Sequence, residues 1–311
     1  MGHLSLSRAL AACSLLILVS AGACWAAGIE DQLSSYTGDN AEGYLRPLAD
    51  AIGTSLNSGL YQSAYIPKDG RYFSLDLGVM SGLFSDDDRT FKATTPEGFS
   101  PQQNVTAPTI VGSGNAVEVA GDAETAVFLP GGCDLSSFSL AAPQLRFGSI
   151  YGTEALLRYF SLNMGGDTEF GSLSLFGIGL RHSISQYLNE DFPVQLAGGF
   201  FWQTFKLGEN EAGDDLISAS AFTVGVQASR RFGRGFVFAE PYAGLSLDQH
   251  SVKVDYQFED GEDTIDIDYG SSTSGRFTIG VSGRLAIVKG HIDYSVASQN
   301  SVSFGLAFGM F

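Results

Sequence analysis

From residue 174 onward the chain alternates. Phe176, Ile178, Leu180 and Ile184 take the even positions between Ser174 and Ile184, while Gly177, Gly179, Arg181 and Ser183 take the odd ones. The same period continues where Val194, Leu196, Phe200 and Trp202 oppose Gln195, Ala197, Gly199 and Gln203, and where Phe222, Val224 and Val226 oppose Thr223, Gly225 and Gln227. Phe277, Ile279, Val281 and Leu285 oppose Thr278, Gly280, Ser282 and Arg284, and Val302, Phe304, Leu306, Phe308 and Met310 oppose Ser303, Gly305, Ala307 and Gly309. Neighbouring strand residues point to opposite sides of a sheet, so each segment has one greasy face and one small or polar face.

A soluble sandwich and a membrane barrel both need such strands, and three features favour the barrel. Several segments run about 12 to 17 residues, against ~5 to 6 for soluble strands and ~9 to 11 to cross an outer membrane. The polar face carries Gly, Ser and isolated Arg rather than the Lys and Glu of a solvated surface. Connections alternate between tight (Ser149 to Gly152, Gly233 to Gly235, Val288 to Gly290) and long and acidic (Gly208 to Leu216, Phe258 to Ser274). Short periplasmic turns and long external loops are the pattern of an outer-membrane barrel.

Predicted strands fall at 71–79, 144–149, 153–162, 169–186, 194–207, 217–232, 236–257, 264–287, 290–297 and 301–311. Arg89 to Thr94 and Ala116 to Leu129 are further candidates within a long insertion at 80–143. The predicted fold class is therefore all-β, an antiparallel transmembrane β-barrel of 10 to 14 strands with a short N-terminal helical segment.

Residues 1–27 read as an export signal: Arg8 precedes an apolar run from Ala9 to Val19, and small residues follow at Ala21-Gly22-Ala23 and Ala26-Ala27. An uncleaved anchor and a lipoprotein with Cys24 at its start are the alternatives. Removal of the signal takes Cys13 and Cys24 and leaves Cys133 as a lone thiol, with no intrachain disulfide expected.

Between 28 and 70, Leu45, Leu48, Ile52 and Leu56 recur at helical spacing, with Asn40 as candidate cap. Pro47 and Gly53 predict only two or three turns. This segment is either a periplasmic piece or a plug inside the barrel. A helix is ~10 Å across, so ten strands are expected to leave too little room, and a plug is expected to require extra wall strands from the 80–143 insertion.

Gly53-Thr54-Ser55-Leu56-Asn57-Ser58-Gly59, Pro143-Gln144, Gly152-Thr153-Glu154 and the run from Gly177 to Tyr187 resemble an outer-membrane barrel family of unknown function. More weakly, the chain resembles the long-chain fatty-acid and hydrocarbon transporters that carry an N-terminal hatch. The resemblance implies a barrel and adds a transport hypothesis, and it implies no catalytic residue.

Composition and charge narrow the partners. The net charge of −17 excludes a nucleic-acid partner, because phosphate binding needs excess Lys and Arg. Acidic clusters at Asp86-Asp87-Asp88, at Glu209 to Asp215 and at Glu259 to Asp268 fall in predicted loops and read as a solvated rim. Glu154, Arg158, Arg181, Arg231, Glu240 and Arg284 are candidate lumen charges, expected to pair across the barrel. Asp248 with His250, and His291 with Asp293, bring carboxylate near imidazole, but no nucleophile motif accompanies them, and they read as polar strand ends near an interface. No catalytic residue, cofactor or metal site is expected, and the chain is not expected to be an enzyme. Two functions remain: passive outer-membrane transport of a hydrophobic small molecule, or a structural or accessory barrel closed to solutes and acting through its acidic loops. Either way the expected partners are outer-membrane lipid and the barrel-assembly machinery.

Overall fold

The computed structural model describes residues 36, 38–163, 172–189, 191–208, 215–234, 237–257 and 264–310. The export signal, Cys24, Phe311 and the acids at 209–214 and 259–263 lie outside them.

One α-helix, α1 (Asp39–Leu56), precedes the strands β1 (Tyr72–Leu83), β2 (Thr90–Thr94), β3 (Asn104–Pro108), β4 (Val117–Ala120) and β5 (Ala126–Leu129). There follow β6 (Ser137–Ile150), β7 (Thr153–Asn163), β8 (Ser172–Ser183), β9 (Gln195–Leu207), β10 (Ile217–Ser229) and the short β11 (Phe232–Arg234). The chain ends on β12 (Val237–Gln257), β13 (Thr264–Leu285), β14 (Val288–Val296) and β15 (Ser301–Met310).

Ten of these strands close a barrel. Its order is β1-β6-β7-β8-β9-β10-β12-β13-β14-β15, each pair is antiparallel, and β15 returns to β1 with Phe73 opposite Met310. These are the ten strands that the alternation predicts. The greasy face turns outward: Ile279 and Val281 are 55% and 44% exposed, whereas Ser282 on the other parity is 1% exposed. Backbone groups in a closed barrel all find partners along the ladder, so such a wall tolerates an apolar solvent.

The connections fall on two sides. At the end that holds Tyr72 and Met310, β6 to β7 and β13 to β14 are joined by tight turns. At the other end the long insertion leaves β1 at Leu83 and re-enters at Ser137, so the wall takes residues from both ends of the stretch 80–143. That insertion forms two small hairpins, β2–β3 and β4–β5, in sheets of their own. Arg89 to Thr94 and Ala116 to Leu129 are thus parts of a cap and add nothing to the wall.

The helix occupies the capped end. Its 18 residues exceed the predicted two or three turns, and Pro47 is accommodated inside it. Asn40 is not its cap, since Gly38 holds that position. Instead the Asn40 amide pairs with the backbone of Thr94 in both directions, at 2.8 and 2.9 Å. Leu45, Leu48, Ile52 and Leu56 are all buried, in one apolar cluster with Phe138 and Leu140 of β6, Leu175 of β8, Phe205 of β9 and Val252 of β12. Ile110, Val111 and Leu129 of the cap belong to the same cluster.

This arrangement overturns the argument from space. A ten-stranded barrel accepts the helix because the contact faces are small: a Cβ on Gly82 of β1 would stand 3.2 Å from Ala51, and one on Gly53 would stand 2.2 Å from the His250 ring. The first turns sit beneath the cap, where Gly43 lies against Phe91.

Cys133 follows β5 and is disulfide-bonded, which corrects the expectation of a lone thiol. Its partner lies outside the described residues.

Candidate functional site

After α1 the chain continues down the lumen, and the wall grips it at three levels. At the first, Arg276 of β13 donates to the Thr54 carbonyl at 3.2 Å and to the Ser58 hydroxyl at 2.8 Å, while its guanidinium pairs with Asp248 of β12. At the second, Arg158 of β7 donates to the carbonyls of Leu56 and Ser58 at 3.2 and 3.3 Å, and to the side-chain oxygens of Gln144 and Gln203. Gln203 also donates to the Leu56 carbonyl. At the third, Arg181 of β8 donates to the Ser63 carbonyl, the Ser63 hydroxyl donates to Glu240 of β12, and the Ala64 amide donates to Ser229 at 3.0 Å. The descent ends where Gly152 and Ser149, beside the β6–β7 turn, bond the carbonyls of Lys68 and Gly70.

The chemistry of the wall changes along this path. Around α1 the inward residues are apolar, as Phe205 and Leu175 show. Below Leu56 buried charges stand among apolar residues such as Leu156 and Phe201. Glu154 pairs with Arg181 and receives the Tyr72 hydroxyl; Asp76 of β1 pairs with Arg146 of β6 at 3.1 Å; Glu240 pairs with Arg231 at 3.0 Å. Both partners of the first two pairs are almost wholly buried. In so dry a setting a pair persists only when further hydrogen bonds hold both members, which the N-terminal segment helps to supply.

The predicted lumen charges therefore separate. Glu154, Arg158, Arg181 and Glu240 face inward and hold the descending segment or its supports. Arg231 is one-third exposed at the short-turn end and lies 3.9 Å from the Phe238 ring centroid. Arg284 stands apart: its Nε donates to the Ala286 carbonyl in the β13–β14 turn. Asp76, Arg146, Lys289 and Arg276 belong to the same lumen and escaped the sequence reading. Their signal was available, since each shares the parity of a small inward residue.

A profile of the family of unknown function DUF6588 matches residues 6–310. The chain belongs to that family. No curated protein matches the sequence. Among solved structures, this DUF6588 chain is similar to the β domain of the Bordetella autotransporter BrkA at 12% identity, over 78% of this chain and 100% of that one, with a TM-score of 0.30. The outer-membrane protease OmpT from Escherichia coli matches at 9% identity over 79% and 98%, with a TM-score of 0.34. The transport unit of the autotransporter AIDA-I from Escherichia coli matches at 10% identity over 89% and 100%, with a TM-score of 0.30.

Neither histidine of the DUF6588 chain that was weighed for catalysis meets its motif carboxylate. Both motifs face the lumen, with Asp248, His250, His291 and Asp293 all buried, which corrects their placement at an interface. Asp248 bonds Arg276, Thr223 and Ser246, and Asp293 bonds Tyr242 and Ser303 at 2.8 and 2.6 Å. His250 instead approaches Asp50 of α1 at 3.7 Å, and His291 lies 3.4 Å from Gln62. At the capped end, Arg46, Asp50, Asp88, His250, Tyr269 and Gln299 border a cavity of about 160 Å³. Asp266 and Asp268, assigned from the sequence to a loop, lie in β13, where Asp268 pairs with Lys253 at 2.8 Å. Among the described residues no group of three or more His, Cys, Asp or Glu is placed to hold a metal ion.

Proposed function

We propose that this chain is an integral outer-membrane β-barrel held shut by its own N-terminal segment, and that it works from its capped outer face rather than as a conduit. The observation that carries this reading is the three-level grip of Arg276, Arg158 and Arg181 on backbone carbonyls between Thr54 and Ser63. A passive route for a hydrophobic solute needs a continuous apolar wall, and below Leu56 the wall is interrupted by the buried charges Glu154, Arg158, Arg181, Glu240 and Lys289. The outward apolar band supports a lipid partner and assembly by the barrel machinery, and the chain carries no proposed enzymatic step.

Orientation follows from the connections. With the tight turns in the periplasm, the cap and Tyr36, which donates to the Pro130 carbonyl at 3.3 Å, lie outside the cell. An epitope inserted between Ala27 and Tyr36 is then expected to bind antibody on intact cells. Liposomes containing the full chain are expected to exclude both small sugars and a hydrophobic dye. Uptake of the dye by the unmodified protein would restore the transport reading, and an epitope reached only after the outer membrane is permeabilised would reverse the orientation.

A further inference from the structure

Beneath the descending segment, at the short-turn end, a cavity of about 40 Å³ is bordered by Ser74, Arg146, Arg181, Arg231 and Lys289, with Glu154 and Tyr72. Its charges do not balance. Arg146, Arg181 and Arg231 are matched by Asp76, Glu154 and Glu240, and Lys289 is the fourth cation. Lys289 is 4% exposed and meets no carboxylate within salt-bridge distance among the described residues; its ammonium reaches the Gln62 carbonyl at 3.5 Å.

The hydrogen-bonding inventory leans the same way. Ser74 is fully buried and its hydroxyl has no partner, and neither does Nε of Arg146. An ammonium offers three donors, and the long contact to Gln62 uses one. The one carboxylate on the cavity wall, Glu154, is turned to Arg181 and Tyr72. Two acceptors without partners, Oδ1 of Asp76 and Oε1 of Gln62, sit nearby, but neither residue borders the cavity. The space thus presents donors and one surplus positive charge. A water would answer the donors and leave the charge unbalanced; an anion answers both.

We propose that this cavity binds a single chloride-sized inorganic anion, admitted from the short-turn side. The volume is that of one halide or a few waters, too small for an oxyanion with its four oxygens. The site does not depend on whether the barrel conducts, so a permeable barrel would leave it standing.

The test uses the full chain in detergent, in sodium gluconate exchanged for sodium chloride or bromide at constant ionic strength. Binding to the folded state raises the unfolding temperature, and the expected rise saturates with halide concentration. Lys289→Met is expected to lose that rise. A native protein with no halide-specific shift, a shift of equal size in Lys289→Met, or a shift given by phosphate and not by chloride would each overturn the proposal. Should Lys289→Met fail to fold, crystals of the native protein soaked in bromide decide: an anomalous peak among Lys289, Arg231 and Ser74 supports the site, and its lack at saturating bromide overturns it.

Discussion

The Ser63 hydroxyl donates to the Glu240 carboxylate across 177 positions of sequence, and Ser229 and Arg231 bind the same carboxylate. The N-terminal segment and two wall positions thus share one acceptor.

Ser63→Ala removes one hydrogen bond from this group and the one its hydroxyl accepts from the Tyr65 amide at 3.0 Å, and is expected to cost about 1–2 kcal/mol. Glu240→Ala strands all three donors. The loss is expected near 2–3 kcal/mol, below the ~3–5 of a fully buried broken pair, because Arg231 is one-third exposed and regains water. Thermal unfolding in detergent measures both. Planar-bilayer recordings are expected to show transient openings in Glu240→Ala and quiet membranes for the native chain. If the two variants melt together, the carboxylate is not the shared anchor described above.

Close packing of α1 on the wall makes a second prediction. A Cβ at Gly53 would meet the His250 ring at 2.2 Å, so Gly53→Val forces the ring or the helix aside and is expected to destabilise by about 1–3 kcal/mol. His250→Ala removes the obstacle, and the double variant is expected to recover most of the loss. A double variant no better than Gly53→Val alone would mean that the cost comes from the helix backbone.

The wall was legible in the sequence because two-residue alternation maps one-to-one onto the faces of a strand, and each of the ten barrel strands keeps that period. The plug was harder to read, and the reason lies in the other face. Leu173, Leu175, Phe205 and Leu207 share the inward parity of Gly177 and Gln203, so toward the capped end the inward face turns apolar. That shift was the signal for a helix packed inside. A barrel filled by average side chains has no room for it, whereas here Gly82 lies against Ala51 and Gly53 against the His250 ring. Pairings such as Arg146 with Asp76 were out of reach because they depend on which strands are neighbours, and only closure of β1 between β6 and β15 settles that.

Outward residues distinguish lipid from water. Ile279 is 55% exposed, and in a protein surrounded by water its replacement by Arg would change stability little. In a bilayer the same change is expected to cost about 2–4 kcal/mol near the midplane. Urea unfolding of Ile279→Arg in lipid vesicles, compared with Ile279→Ala, measures the difference. Equal midpoints for the two variants would remove the membrane from the account of this barrel.

Cys133 yields the last prediction. It is disulfide-bonded, and the other cysteines of the chain are Cys13 and Cys24. Cys13 sits within the apolar run of the predicted export signal, so Cys24 is the expected partner. With that pairing, cleavage is expected to follow Ala21-Gly22-Ala23, a small-x-small site, rather than Ala27, and Cys24 is expected to carry no lipid. The bond would tie the start of the mature chain to the cap, next to the place where Tyr36 reaches Pro130. Mass spectrometry of the purified protein is expected to show Cys24 as the first residue, no lipid, and two thiols that alkylate only after reduction. Cys133→Ser is expected to lower stability by up to about 4–5 kcal/mol, the entropic worth of closing a loop of roughly 100 residues. A mature chain beginning at Gly28 with a freely alkylated Cys133 would refute the tether and return the cap to packing alone.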